Sequence, residues 1–234
     1  LFQVEYAIQA INNAAAAVGV LCKDGVIIAG EKKVTSKLLA PPKSSEKMYK
    51  LDDHVCCAVA GLTADANTLI KTARVSAQRH RYTYDEDIPV EQLVRQMCDF
   101  KHAYTQRGGL RPFGVSFLYA GWDKYHGYQL YLSDPSGNYG GWKATAIGQN
   151  YQTAQSALKT EYREDLTWDE ALKLAMKVLV KAMDTGSPSE EKLEFSTLRQ
   201  SADGTIEQRV LSAKETAALI KEYEEAEASA GDAQ

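Results

Sequence analysis

The sequence predicts an α+β fold: a four-layer αββα sandwich of two antiparallel sheets packed face to face and flanked by helix pairs. Three observations carry this expectation. Strand-like and helix-like stretches come in blocks (strands, two helices, strands, two helices, strands) without the regular β–α alternation of a parallel doubly wound sheet. Neighbouring strand segments are separated by turn-forming runs such as Lys23-Asp24-Gly25 and Pro135-Ser136-Gly137-Asn138, so they read as hairpins. With 44% hydrophobic and 25% charged residues, the chain has enough apolar material for a large buried core.

Val4, Ile8 and Ile11 recur at helical spacing, which predicts a short amphipathic helix over 2–13. This helix is already under way at Leu1, so residues are expected to precede it. Segments 14–22 and 26–34 read as a strand pair about the Asp-Gly turn, Pro41 and Pro42 lie in a loop, and 47–51 and 54–60 form a second pair about Asp52-Asp53. Two helices follow over 64–82 and 89–106; in the second, Val90, Leu93, Val94, Met97 and Phe100 share one face and Pro89 suits the first turn. Aromatic and β-branched residues over 113–120, 126–133 and 139–147 predict an antiparallel meander. Helices are expected over 150–163 and 168–184, the latter opened by a capping box of Thr167 and Glu170. Strands 192–199 and 205–211 then pair across Ala202-Asp203-Gly204, and Ser212 with Glu215 caps a last helix. Residues 1–226 are expected to be one domain and 227–234 an acidic C-terminal tail.

A net charge of −4 argues against a protein devoted to holding nucleic acid. No apolar run is long enough to span a bilayer and no signal peptide opens the chain, so a soluble intracellular protein is expected. Cys22, Cys56, Cys57 and Cys98 form no C-x-x-C pair, and the adjacent Cys56 and Cys57 should face opposite sides of a strand; buried free thiols in a reducing compartment are expected. His54, His80, His102 and His126 show no metal-ligand spacing and read as solvated or turn histidines. No P-loop, dinucleotide fingerprint or nucleophile elbow is present, and Gly108-Gly109 and Gly140-Gly141 read as turns. No cofactor or metal is expected.

Five stretches carry a family resemblance: Leu1–Ala7 (LFQVEYA), Ser45–Leu51 (SEKMYKL), Ala60–Ala66 (AGLTADA), Tyr104–Gln106 with Arg111–Ser116 (RPFGVS), and Ser133–Gly137 followed by Trp142–Thr145. In order and over nearly the whole chain, they resemble the alpha subunits of the 20S proteasome. Asn138–Trp142 is most similar to one eukaryotic branch of that family. The resemblance implies the N-terminal nucleophile hydrolase fold, a four-layer sandwich of the kind read above. Catalytic beta subunits of that superfamily use a chain-terminal threonine as both hydroxyl nucleophile and free amine, tuned by a lysine and an aspartate.

Matched through the Asp24–Ala29 hairpin, Ala15 falls at the threonine's position, Glu31 at the aspartate's and Lys47 at the lysine's. Alanine has no nucleophilic atom, and the nitrogen of an internal residue is an amide, so the two requirements fail independently. The Gly204-Thr205 pair reads as a turn rather than a cleavage junction. The resemblance therefore implies a non-catalytic subunit of a seven-membered alpha ring, in contact with other alpha subunits, with beta subunits and with regulatory ATPases or other activators. It also implies gating by tails upstream of Leu1, ubiquitin-dependent protein degradation, and residence in cytoplasm and nucleus, with no nucleic-acid or membrane partner. Lys47 is similar to the lysine that lines an inter-subunit pocket for activator tails ending in hydrophobic-Tyr-any residue. Leu62 falls on a pocket position too, and Ala14 stands where glycine is common. Phe2 and Tyr6 on the first helix are candidates for packing between subunits. An active threonine hydrolase of the same fold and a stand-alone binding protein are the alternative readings.

Overall fold

The computed structural model describes residues 1–33, 38, 45, 47–183, 188–201 and 203–231. A helix, α1 (Phe2–Ile11), leads into a hairpin of β1 (Ala17–Cys22) and β2 (Gly25–Glu31), whose turn is Lys23-Asp24, with Gly25 already paired to Cys22. Next come β3 (Met48–Asp52), β4 (Val55–Gly61), α2 (Thr63–Tyr84) and α3 (Val90–Gln106). Then follow β5 (Val115–Asp123), β6 (Gly127–Ser133), β7 (Tyr139–Gly141) and β8 (Ala144–Ile147). The chain continues with α4 (Tyr151–Glu161), α5 (Trp168–Ala182), β9 (Leu193–Gln200), β10 (Ile206–Val210) and α6 (Ala213–Gly231).

Two five-stranded antiparallel sheets result, ordered β10-β9-β2-β1-β8 and β3-β4-β5-β6-β7. Period-two alternation sorts the side chains into layers. In the first sheet Val18, Val20, Ile27 and Ala29 face an outer core with α4, α5 and α6, whereas Ala17, Val26 and Ile28 face the other sheet. In the second, Val55, Cys57, Phe117 and Tyr119 face α2 and α3, and Cys56, Ala58, Leu118 and Ala120 face inward. Adjacent Cys56 and Cys57 therefore lie in different cores. All four thiols are free and buried, and burial pushes the Cys56 thiol up to about 12. Both helix caps form as the sequence implies: Thr167 and Glu170 bond reciprocally at α5, and Ser212 and Glu215 do so before α6.

Several expectations need correction. The third segment of the meander is two strands in different sheets. Gly140-Gly141 closes β7 rather than a turn, Trp142 N donates to Leu130 O (2.8 Å), and Leu21 N takes Lys143 O (2.8 Å) as the chain crosses to lay β8 beside β1. Residues 227–231 continue α6 rather than starting a tail. His54 and His80 are buried, not solvated. Pro41 and Pro42 fall outside the described residues, as does Glu46 of the Ser45–Leu51 stretch.

Candidate functional site

Between α1 and β1 the chain runs through Ala14-Ala15-Ala16 without joining a strand, yet it is fixed on both sides. Glu31 N donates to Ala16 O (2.9 Å) from the end of β2, and Gln149 N donates to Ala14 O (2.8 Å) from the turn after β8. That turn passes very close: a Cβ on Gly148, at φ +89°, would lie 2.6 Å from Ala15 O. Only glycine fits both the conformation and the space.

A cavity of about 520 Å³ opens beside this segment, with Ala14, Ala15, Glu31, Lys47, Tyr49 and Thr63 among its walls. The Lys47 ammonium donates to Ala15 O and to Ala16 O, the latter at 3.2 Å. Glu31 is buried and accepts from the Ala16 amide (3.4 Å) and from Gln149 Nε2 (3.1 Å) through one oxygen. Backbone Lys47 N donates to Glu194 Oε1 (2.8 Å), and Ser45 Oγ donates to Glu194 Oε2 (2.5 Å), joining the start of β3 to β9. Buried charge is tolerable here because each group is hydrogen-bonded.

Another wall is set by Asp65 in the first turn of α2. Arg111 donates to both its oxygens (2.7 and 2.8 Å) and thereby holds its carboxyl below the usual carboxylate range. Gly114 N also donates to Asp65 (2.9 Å), and Gly114 O accepts from Leu62 N (2.9 Å), fixing Gly61–Thr63 at the rim.

Ala14, Ala15, Glu31 and Lys47 thus come together. Leu62 stands beside the cavity rather than in its wall, 51% exposed and packed over Gly114. Phe2 and Tyr6 project from α1 at 76% and 64% exposure, while Ile11 on the same helix reaches the core between the sheets. Gln149 and Glu194 escape sequence reasoning. A glutamate flanked by Leu193 and Phe195 in an apolar strand was the available signal for Glu194; Gln149 had none.

Chemically, Ala15 brings no hydroxyl to this arrangement. The residue between lysine and glutamate offers a methyl group, and its nitrogen is an amide. What the site does offer is an ammonium at the edge of a solvent-reachable cavity, with carbonyl oxygens as its partners. That geometry can bind a carboxylate.

The proteasome subunit family profile matches residues 11–198. The chain is 59% identical to Proteasome subunit alpha type-4-A of Arabidopsis thaliana and 60% identical to Proteasome subunit alpha type-4 of Spinacia oleracea, each over 95% of this chain and 89% of the relative. It is 64% identical to the alpha type-4 subunit of Petunia hybrida over 84% of the chain and 79% of that protein. The branch to which the Asn138–Trp142 stretch is most similar is also alpha type-4.

Proposed function

Because the chain belongs to the proteasome subunit family, we propose that it is a non-catalytic alpha-ring subunit of the 20S proteasome, of the alpha type-4 kind. It would serve ring assembly, the gating of substrate admission and activator docking in ubiquitin-dependent degradation, in cytoplasm and nucleus. The observation that carries the reading is Ala15: an internal alanine between Glu31 and Lys47, bonded through its carbonyl to the lysine that would otherwise tune a nucleophile. Ring neighbours account for Phe2 and Tyr6, which on a free monomer would leave apolar surface in water. Stacking on beta subunits follows from the same membership.

The test is to isolate the complex that carries this chain and treat it with a threonine-directed covalent inhibitor. The chain is expected in a ring-sized assembly, with label on other subunits and none on itself. Stoichiometric label on this chain, or a free monomer in cells, would overturn the reading.

In activator docking, Lys47 supplies the cation for the tail's terminal carboxylate. A charge-assisted contact of this kind contributes roughly 1.5–3 kcal/mol. Lys47→Ala is therefore expected to weaken binding of a peptide ending hydrophobic-Tyr-any residue by about 10- to 100-fold while rings still assemble. Unchanged peptide affinity in assembled mutant rings rules the role out.

A further inference from the structure

At the far end of the second sheet, the β3–β4 turn meets the α2–α3 connection. Asp52 and His54 flank that turn, and Asp87 comes from the connection. One imidazole nitrogen and one oxygen from each carboxylate all lie within 4.8 Å of one another. Two of the three side chains are deeply buried, His54 at 4% and Asp52 at 3% exposure, while Asp87 faces solvent.

The decisive detail is His54. Its Nε2 lies 2.7 Å from Ile88 O, and a carbonyl can only accept, so Nε2 carries the proton. A neutral ring then has its lone pair on Nδ1. Among the described residues this buried nitrogen has no hydrogen-bond partner, and it lies 3.7 Å from Asp52 Oδ2, too far for a hydrogen bond. A lone pair set against a carboxylate across that gap is repulsive, and a cation seated between the two atoms would turn both contacts attractive.

We propose that Asp52, His54 and Asp87 form a binding site for a divalent cation of the zinc class, seated where the β3–β4 turn meets the α2–α3 connection. One imidazole with two carboxylates is a zinc donor set, whereas magnesium and calcium favour oxygen alone. Two ligand atoms on a tetrahedral zinc stand about 3.4 Å apart, close to the separation between His54 Nδ1 and Asp52 Oδ2. The contact from Nε2 to a backbone carbonyl is the outer support that metal-bound histidines use to fix their tautomer.

Arg81 is the ion's competitor. Its Nη2 lies 3.1 Å from both Asp52 oxygens and 2.6 Å from Asp87 Oδ1, bridging the same carboxylates. At 36% exposure its side chain has room to withdraw toward solvent when a doubly charged ion takes the inner oxygens. Binding would pin the α2–α3 connection to the β3–β4 turn.

The experiment is equilibrium dialysis of zinc alone against the assembled complex carrying wild-type or variant chain, with metal analysis per copy. Asp87→Ala, at an exposed position, is expected to lose one zinc per chain. Arg81→Gln should bind that zinc about tenfold more tightly by removing the competing guanidinium. Asp53→Ala, the exposed neighbour outside the triad, should match wild type. Equal zinc content in wild type and Asp87→Ala, or no gain in Arg81→Gln, overturns the site. Neither outcome bears on ring membership, which is read separately from the size of the assembly.

Discussion

Gly61→Ala is expected to destabilise the chain by about 3–5 kcal/mol, combining backbone strain with overpacking. Gly61 ends β4 at φ +127°, a conformation that side-chain-bearing residues rarely adopt, and an added Cβ would lie 2.1 Å from Gly114 O and 3.0 Å from Val115 Cα. Both neighbours are backbone, so no rotamer change relieves the clash. Moving Gly114 would strain its bond to Asp65 and the Leu62 amide contact, loosening the rim of the cavity beside Lys47. In a thermal melt the midpoint should fall by on the order of 10 °C. Gly108→Ala is the control, because a Cβ there meets nothing within 4 Å among the described residues. A Gly61→Ala protein that melts with the Gly108→Ala control would show that the strand end is free to relax.

Lys101→Met is expected to change how stability depends on pH. Lys101 is fully buried between α3 and the second sheet, where its ammonium donates to Ser133 Oγ (3.0 Å) and Asp134 O (3.2 Å) and lies 5.1 Å from the Phe117 ring centre. Burial pulls its pKa down from 10.5 to about 8, with nearby Cys98 and Asp134 opposing. The folded state therefore binds fewer protons than the unfolded chain between those values. The resulting cost, on the order of 3 kcal/mol, is fully present below pH 8 and is relieved as pH rises toward 10.5. Methionine carries no such cost, although it removes the ammonium's hydrogen bonds to Ser133 Oγ and Asp134 O, a loss of about 1–3 kcal/mol. That loss does not vary with pH in this range, so the slope isolates the lysine. Between pH 7 and 9.5 the wild type should gain about 2 kcal/mol on the variant in urea melts. Parallel curves would mean that the ammonium is solvated in the folded protein.

Much of this fold is legible because the short apolar runs of β1, β2, β4 and β5, bounded by turn residues, and the capping residues at 167–170 and 212–215 are local signals. Ala15 and Lys47 could be found because a family pattern runs through them. What stayed hidden depends on distance. Nothing near Trp142 says that the chain leaves one sheet for the other, since the deciding partner of β8 is β1. Glu194 and Gln149 complete the site from later parts of the chain, and the buried His54 ring meets Ile88 O from the α2–α3 connection. A single histidine between Asp53 and Val55 in sequence carries no sign of that contact.

The first hairpin's partners lie far along the chain. Ala17 pairs with Ile147 on one edge and Gly25 with Arg199 on the other. During synthesis, β1 and β2 are made early, but the β1 edge stays open until β8 has been translated and the β2 edge until β9 has been. An unpaired hairpin rich in valine and isoleucine invites strand addition from other chains. This sheet order therefore places the period of greatest aggregation risk on the ribosome, and makes shielding of the nascent N-terminal segment a condition for a good yield of folded protein.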